Sequence, residues 1–139
     1  MTIRRAETGD AAALARLAGE LGYPSTPEEI CARLAMLTSN DEVLVAEHDG
    51  EVEAWIHVAA VHSLETGVTA QICGLVVTES RRGSGIGAEL VRAAEEWAHR
   101  RGIARLRVRT NVNRTRTHAF YERCGFTHAK TSRVYDKNL

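Results

Sequence analysis

Aromatic side chains make up only 5% of this sequence, and proline occurs just twice in 139 residues. So little proline, with no biased tract, excludes proline-rich or low-complexity linkers and leaves a continuously folded chain. An excess of one charge is missing too, since eighteen Lys and Arg balance eighteen Asp and Glu. No summed field remains to hold nucleic acid through counterion release, so DNA and RNA are not expected partners. Long hydrophobic runs are absent: no window approaches the roughly 20 apolar residues that span a bilayer. The N-terminal MTIRRAETGDAA lacks an apolar stretch of signal-peptide length. No membrane partner is expected, and the expected location is cytoplasmic. Cys31, Cys73 and Cys124 are odd in number and form no CxxC pair, which excludes a disulfide frame or a zinc site and favours buried free thiols. The six histidines include no HExxH-like pair, so no metal is implied.

What is present suits one globular domain, residues 1–139, with 44% hydrophobic and 26% charged residues. Residues 2–6 read as a first strand. Asp10 is a plausible N-cap for a helix that carries Leu14, Leu17, Ala18 and Leu21 and ends at Gly22. Thr26, Pro27 and Glu29 form a capping box with proline at the first helical position, opening a helix over about 27–38. EVLVAEH and EVEAWIHVAAVH flank Asp49-Gly50, a dipeptide suited to a tight hairpin turn. A turn at 65–67 leads into VTAQICGLVV, so three consecutive antiparallel strands are expected. Ile86, Leu90, Val91, Ala94, Trp97 and Ala98 line one face of a helix closed by Arg100, Arg101 and Gly102. ARLRVRT alternates as a strand with one wet face. A short helix holding Ala119, Phe120 and Tyr121 stops at Gly125, and FTHAKTSRVYDKNL suggests one or two terminal strands. The order predicts an α/β fold: a mixed, mostly antiparallel sheet of six to seven strands with helices on both faces.

TESRRGSGIGAEL, residues 78–90, places two arginines and three glycines between a strand and a helix. Glycines there let backbone N–H groups converge on an anion, and the helix start adds about half a positive charge. An NTP-binding loop is excluded because no Lys-Ser/Thr pair follows Gly87. Gly83-Ser84-Gly85-Ile86-Gly87-Ala88 matches the dinucleotide pattern G-x-G-x-x-A. Five polar residues separate it from the strand, however, and the next strand ends without an acidic group, which leaves an NADP-binding oxidoreductase as a weak alternative.

RGSGIG from Arg82 also satisfies Gln/Arg-x-x-Gly-x-Gly/Ala, and THAFYERCGF, residues 117–126, looks like A-x-x-F-Y-E-x-x-G-F. On these two motifs and the element order, the chain resembles the GNAT acyltransferase superfamily over nearly its whole length. The resemblance implies that acetyl-CoA donates to a primary amine, expected to be that of a small molecule, by direct attack in a ternary complex. The pyrophosphate would lie on the amides of Arg82, Gly83, Ser84, Gly85, Ile86 and Gly87, with Arg81 and Arg82 adding charge at the rim. Leu75, Val76 and Val77 would meet the pantetheine arm, and one of their amides the oxyanion. Tyr121 would protonate the departing thiolate. Asn113, with Asn111 nearby, would touch the cofactor's arm, although Thr115 or Thr117 capping the helix uses that stretch equally well.

The general base stays open. Gln71, Cys73 and Gly74 stand where relatives often carry an acid, and Glu79, Glu53, His57, His118 or an ordered water are the alternatives; Glu53 and His57 share a face of the third strand by period two. Cys73 as an acyl-carrying nucleophile has no histidine at a readable spacing. Tyr23, Glu28 and Glu29 are candidates for the acceptor side. A non-catalytic acyl-CoA sensor is the alternative of a different class, and homodimerisation through the C-terminal strands is common among relatives.

Overall fold

In a computed structural model describing all 139 residues, local chemistry accounts for most element boundaries. Thr26 Oγ1 accepts from the Glu29 N–H at 3.1 Å, and the Glu29 carboxylate accepts from the Thr26 N–H at 3.0 Å. This reciprocal cap starts α2 (Pro27–Met36), the helix that follows α1 (Ala11–Leu21). Asp49 and Gly50 take φ of 50° and 78°, which turns β2 (Asp41–His48) back into β3 (Glu51–Ser63). Asp10 does not cap α1. Its carboxylate accepts from the Glu7 N–H and from both terminal nitrogens of Arg4, so it belongs to the preceding 3-10 turn.

The chain forms two compact units, Met1–Val108 and Arg109–Leu139. In the first, β1 (Thr2–Arg5), β2, β3, β4 (Gly67–Val77) and β5 (Leu106–Val108) make one sheet in sequence order. All neighbours are antiparallel except β4 and β5, which are joined through α3 (Ile86–Arg100) and run parallel. One sheet face meets α1: Leu14 and Leu17 pack with Val45, Val52 and Val76. By strand alternation Ala46, Ala54, Ile56, Val58 and Ile72 face the other way. They are fully or nearly fully buried, as are Leu90, Val91 and Ala94 of α3, which covers β2, β3 and β4. Helices therefore lie on both faces, as expected.

The sheet has five strands, not six to seven. Residues 126–139 form no strand, and beyond Phe126 every one is exposed. Only Ala129, Val134, Tyr135 and Leu139 are apolar there, too few to define a buried face. The second unit contains one helix, α4 (Thr115–Arg123). The cysteines are free, but none is buried: Cys73 is exposed and Cys31 and Cys124 are half-buried. No helix is long and apolar enough to cross a membrane.

Candidate active site

β4 loses its second neighbour halfway along. It pairs with β5 only over Ala70–Ile72, and the Ala70 N–H donates to the Arg105 carbonyl at 2.9 Å. Immediately afterwards Ile72 faces Val58 while Gly74 faces His57, so Cys73 is the extra residue of a β-bulge. A bulge bends its strand and sharpens the twist. From here to Val77 one edge of β4 is open. The Thr78 N–H donates to the Glu53 carbonyl at 2.8 Å, which sets the alternation. Gly74 and Val76 address β3, while the N–H and C=O of Leu75 and Val77 point to the open edge. Of the three residues predicted to meet the pantetheine arm, Leu75 presents a free N–H and C=O there and Val77 a free N–H, its carbonyl being taken by Arg82 Nε, while Val76 turns its side chain into the core.

Beyond β4, Glu79–Arg81 makes a 3-10 turn, and Gly83 and Gly85 adopt φ of 82° and 91°. A Cβ at either glycine would meet nothing within 4 Å. The positive φ, not crowding, is what selects glycine. The Arg82 and Ser84 amides bond back to the Glu79 and Arg81 carbonyls. The amides of Gly83, Gly85, Ile86, Gly87 and Ala88 have no acceptor, and no side chain caps α3. A helix start with five unpaired donors and the positive end of its dipole is built to receive an anion.

Both arginines are engaged, and neither is a free charge at the rim. Arg81 Nε lies 3.1 Å from Glu53 Oε2, and both atoms are buried without a well-aligned hydrogen bond. Arg82 Nε donates to the Val77 carbonyl at 3.1 Å, and its guanidinium lies 3.8 Å from Glu20. Glu20, near the end of α1, also accepts from the Glu79 N–H at 2.9 Å and from Thr78 Oγ1 at 3.2 Å. Apart from the i,i+4 pair with Arg16, the sequence gives no local signal for Glu20, because Thr78 and Glu79 lie nearly sixty positions away.

In the second unit Tyr121 is 8% exposed. Phe120 and Phe126 meet its ring edge-on, with centroids at 5.1 and 5.4 Å. Burial, with a smaller contribution from Cys124, pushes its phenol up to about 12. The group is a proton donor at neutral pH and not a base. The Asn113 N–H donates to Asn111 Oδ1 at 2.9 Å. The Asn111 carbonyl accepts from the Arg114 N–H and from His118 Nε2 at 2.8 Å. Arg114 stands at the cap position of α4 with no side-chain cap, so neither Thr115 nor Thr117 caps that helix.

Among the base candidates, Glu53 is paired with Arg81, and the bulge between β2 and β3 makes it the extra residue there, opposite Ala46–Glu47. His57 Nε2 lies 2.9 Å from Asp41 Oδ1, with both side chains part-buried. Burial alone would raise the Asp41 carboxyl, but the hydrogen bonds from His57 and the Thr38 amide hold it below its ordinary value. Burial and the nearby Asp41 charge push the Cys73 thiol up, so it is neutral despite reaching the surface. No group of three or more His, Cys, Asp or Glu side chains could hold a metal ion.

Comparison with known proteins shows the family. The acetyltransferase (GNAT) family model matches residues 12–126, spanning both compact units. Aminoglycoside N(6')-acetyltransferase type 1 of Stenotrophomonas maltophilia is 29% identical over 96% of this chain and 89% of its own. Aminoalkylphosphonate N-acetyltransferase of Salmonella typhimurium strain LT2 is 32% identical over 79% of this chain and 71% of its own. A solved structure from Agrobacterium tumefaciens strain C58 superposes with a TM-score of 0.88 at 29% identity, covering 99% of this chain and all of that one. With the family's fold and an anion-ready loop at the start of α3, this chain belongs to the GNAT acetyltransferase family and is an acetyl-CoA-dependent amine N-acetyltransferase.

Proposed function

We propose that the chain moves the acetyl group of acetyl-CoA to a primary amine of a small, polar molecule, in a ternary complex and without a covalent acyl-enzyme. The observation that carries this reading is the set of unpaired amides at Gly83 and Gly85–Ala88, next to the β4 edge left open beyond Cys73. The amides would receive the pyrophosphate, and the open edge at Leu75 and Val77 would take the pantetheine arm through backbone hydrogen bonds. An N–H on that edge would meet the oxygen of the thioester as it becomes an oxyanion, where a fixed donor is worth most. On its motif, Tyr121, whose phenol is protonated at neutral pH, would give a proton to the sulfur as the C–S bond breaks. Asn113 would line the cofactor's arm.

The small acceptor is supported by the curated relatives, which carry the names of aminoglycoside and aminoalkylphosphonate acetyltransferases. The neutral Cys73 thiol supports direct transfer, because a thiol kept protonated is a poor nucleophile. The test is calorimetric titration with coenzyme A, followed by acetyl-CoA turnover against neamine, aminomethylphosphonate, polyamines and short peptides with free-thiol detection. Saturable binding and thiol release with at least one small amine is expected. Tight binding with no release from any amine would mark a sensor, and release only with peptides would remove the small-molecule acceptor.

A further inference from the structure

Four side chains are candidates by sequence to take a proton from an incoming ammonium group, and their surroundings separate them. Glu53 is committed to Arg81 in a part-buried ion pair whose contacting atoms are shielded from water. Glu79 begins the 3-10 turn as an exposed residue whose amide is bound to Glu20. His118 spends Nε2 on the Asn111 carbonyl. His57 alone is both oriented by a carboxylate and left with a free ring nitrogen.

Resting on the acetyl-transfer reading above, we propose that His57, held by Asp41, is the general base that deprotonates the acceptor amine. Nε2 lies 2.9 Å from Asp41 Oδ1, and the two side chains are 25% and 19% exposed, enclosed enough to be fixed and open enough to be reached. An ionised Asp41 accepts the Nε2 proton, so the neutral imidazole keeps its lone pair on Nδ1, which has no partner in the chain. The placement follows from register. His57 faces Gly74 across the β3–β4 ladder, about 4.8 Å away at strand spacing, and the next residue on β4 is Leu75, whose N–H points to the open edge.

The indole of Trp55 rests on Gly74, since a Cβ there would fall 2.9 Å from Trp55 Cη2 and Cζ3. An apolar surface therefore lies between the base and the edge where the thioester is proposed to sit. The titratable groups facing His57 from its neighbouring strands are Asp41 on β2 and the Cys73 thiol on β4. Cys73 is uncharged, so Asp41 is the one charged group among them.

The step balances as follows. The ammonium gives one proton to Nδ1, and the freed nitrogen lone pair forms the C–N bond at the acetyl carbonyl. Collapse of the tetrahedral adduct breaks the C–S bond, and its electron pair leaves on sulfur. The sulfur takes a proton from Tyr121, the new amide nitrogen sheds its extra proton to restore the phenol, and the imidazolium releases its proton to solvent. One ammonium and one thioester become one amide, one thiol and one proton.

The test compares wild type, His57→Gln and Asp41→Asn with whichever small amine the panel identifies, reading kcat/KM against pH and coenzyme A affinity in parallel. His57→Gln should lower kcat at least ~100-fold and abolish the acidic limb of the profile while coenzyme A affinity stays unchanged. Asp41→Asn should cost on the order of tenfold and move that limb to lower pH, because removing the carboxylate disfavours the imidazolium. A merely structural pair would not move the limb. Should His57→Gln keep wild-type turnover with the limb in place, or Asp41→Asn leave the limb where it was, His57 is not the base although the site reading stands. If the wild type binds coenzyme A but acetylates none of the amines, the site reading fails first and the assignment with it.

Discussion

At Gly85 the backbone has φ of 91°, a conformation costly to any side chain, and the space above it is open. Gly85→Asp therefore combines backbone strain with a carboxylate at the point where five amides wait for an anion. Coenzyme A affinity should fall at least ~100-fold by calorimetry, about 2.7 kcal/mol, and retained affinity would remove the loop from the binding site. Tyr121 invites a different measurement. With its phenol pushed up to about 12, it should ionise late in an alkaline absorbance titration of the three tyrosines, and Tyr121→Phe should delete that late phase. The same variant should lower kcat about 10- to 100-fold with little change in KM, whereas an unchanged kcat would end its role as acid. Both residues are legible in sequence because their chemistry is local: a glycine at a required φ, and a tyrosine inside a motif of its own helix. Asp41 is not legible, since only the β2–β3 register brings it to His57.

Elements depend on contacts that no local pattern records, and Glu20 shows why. It sits in α1 with no motif around it, yet it bonds the Thr78 hydroxyl and the Glu79 amide, fixing the turn that carries the glycine loop. Glu20→Ala should raise the KM for acetyl-CoA about tenfold, roughly 1.4 kcal/mol, and leave kcat at saturation near wild type. A drop in kcat with KM unchanged would mean that α1 serves the chemistry and not the loop. By contrast, the caps of α2 and the β2–β3 turn are readable because Thr26 and Glu29, or Asp49 and Gly50, are sequence neighbours. The bulge at Cys73 lies between these cases. Gly74 hints at it, since a glycine inside a strand often marks a bulge or a close approach, but the extra residue is visible only once β3 supplies the register. The terminal strands fail for the opposite reason. Residues 126–139 carry only scattered apolar positions, and a strand also needs a neighbour with which to pair.

Across the whole molecule, the shifted groups divide between the two compact units, which gives each unit its own pH signature. Asp10 and Asp41 lie in Met1–Val108 and Tyr121 in Arg109–Leu139. Arg4 hydrogen bonds hold the Asp10 carboxyl low, and Asp41 is held low by His57 and the Thr38 amide against its own burial. A depressed folded pKa means that the unfolded chain binds the proton more readily. Their contribution is therefore complete above the ordinary aspartate value of about 4 and is lost as pH falls through the folded values. For Tyr121 the sign reverses. Between the ordinary phenol value of about 10 and its folded value of about 12 the unfolded chain loses a proton that the folded chain keeps, so stability declines with rising pH across that window. Urea midpoints measured from pH 3 to 12 should show a plateau with a loss at each end. Asp10→Asn should flatten the acid limb only, read by Trp55 and Trp97 fluorescence, both within the first unit. Tyr121→Phe should flatten the alkaline limb only. An acid limb that persists unchanged in Asp10→Asn and Asp41→Asn would show that neither carboxylate is held low by its partners.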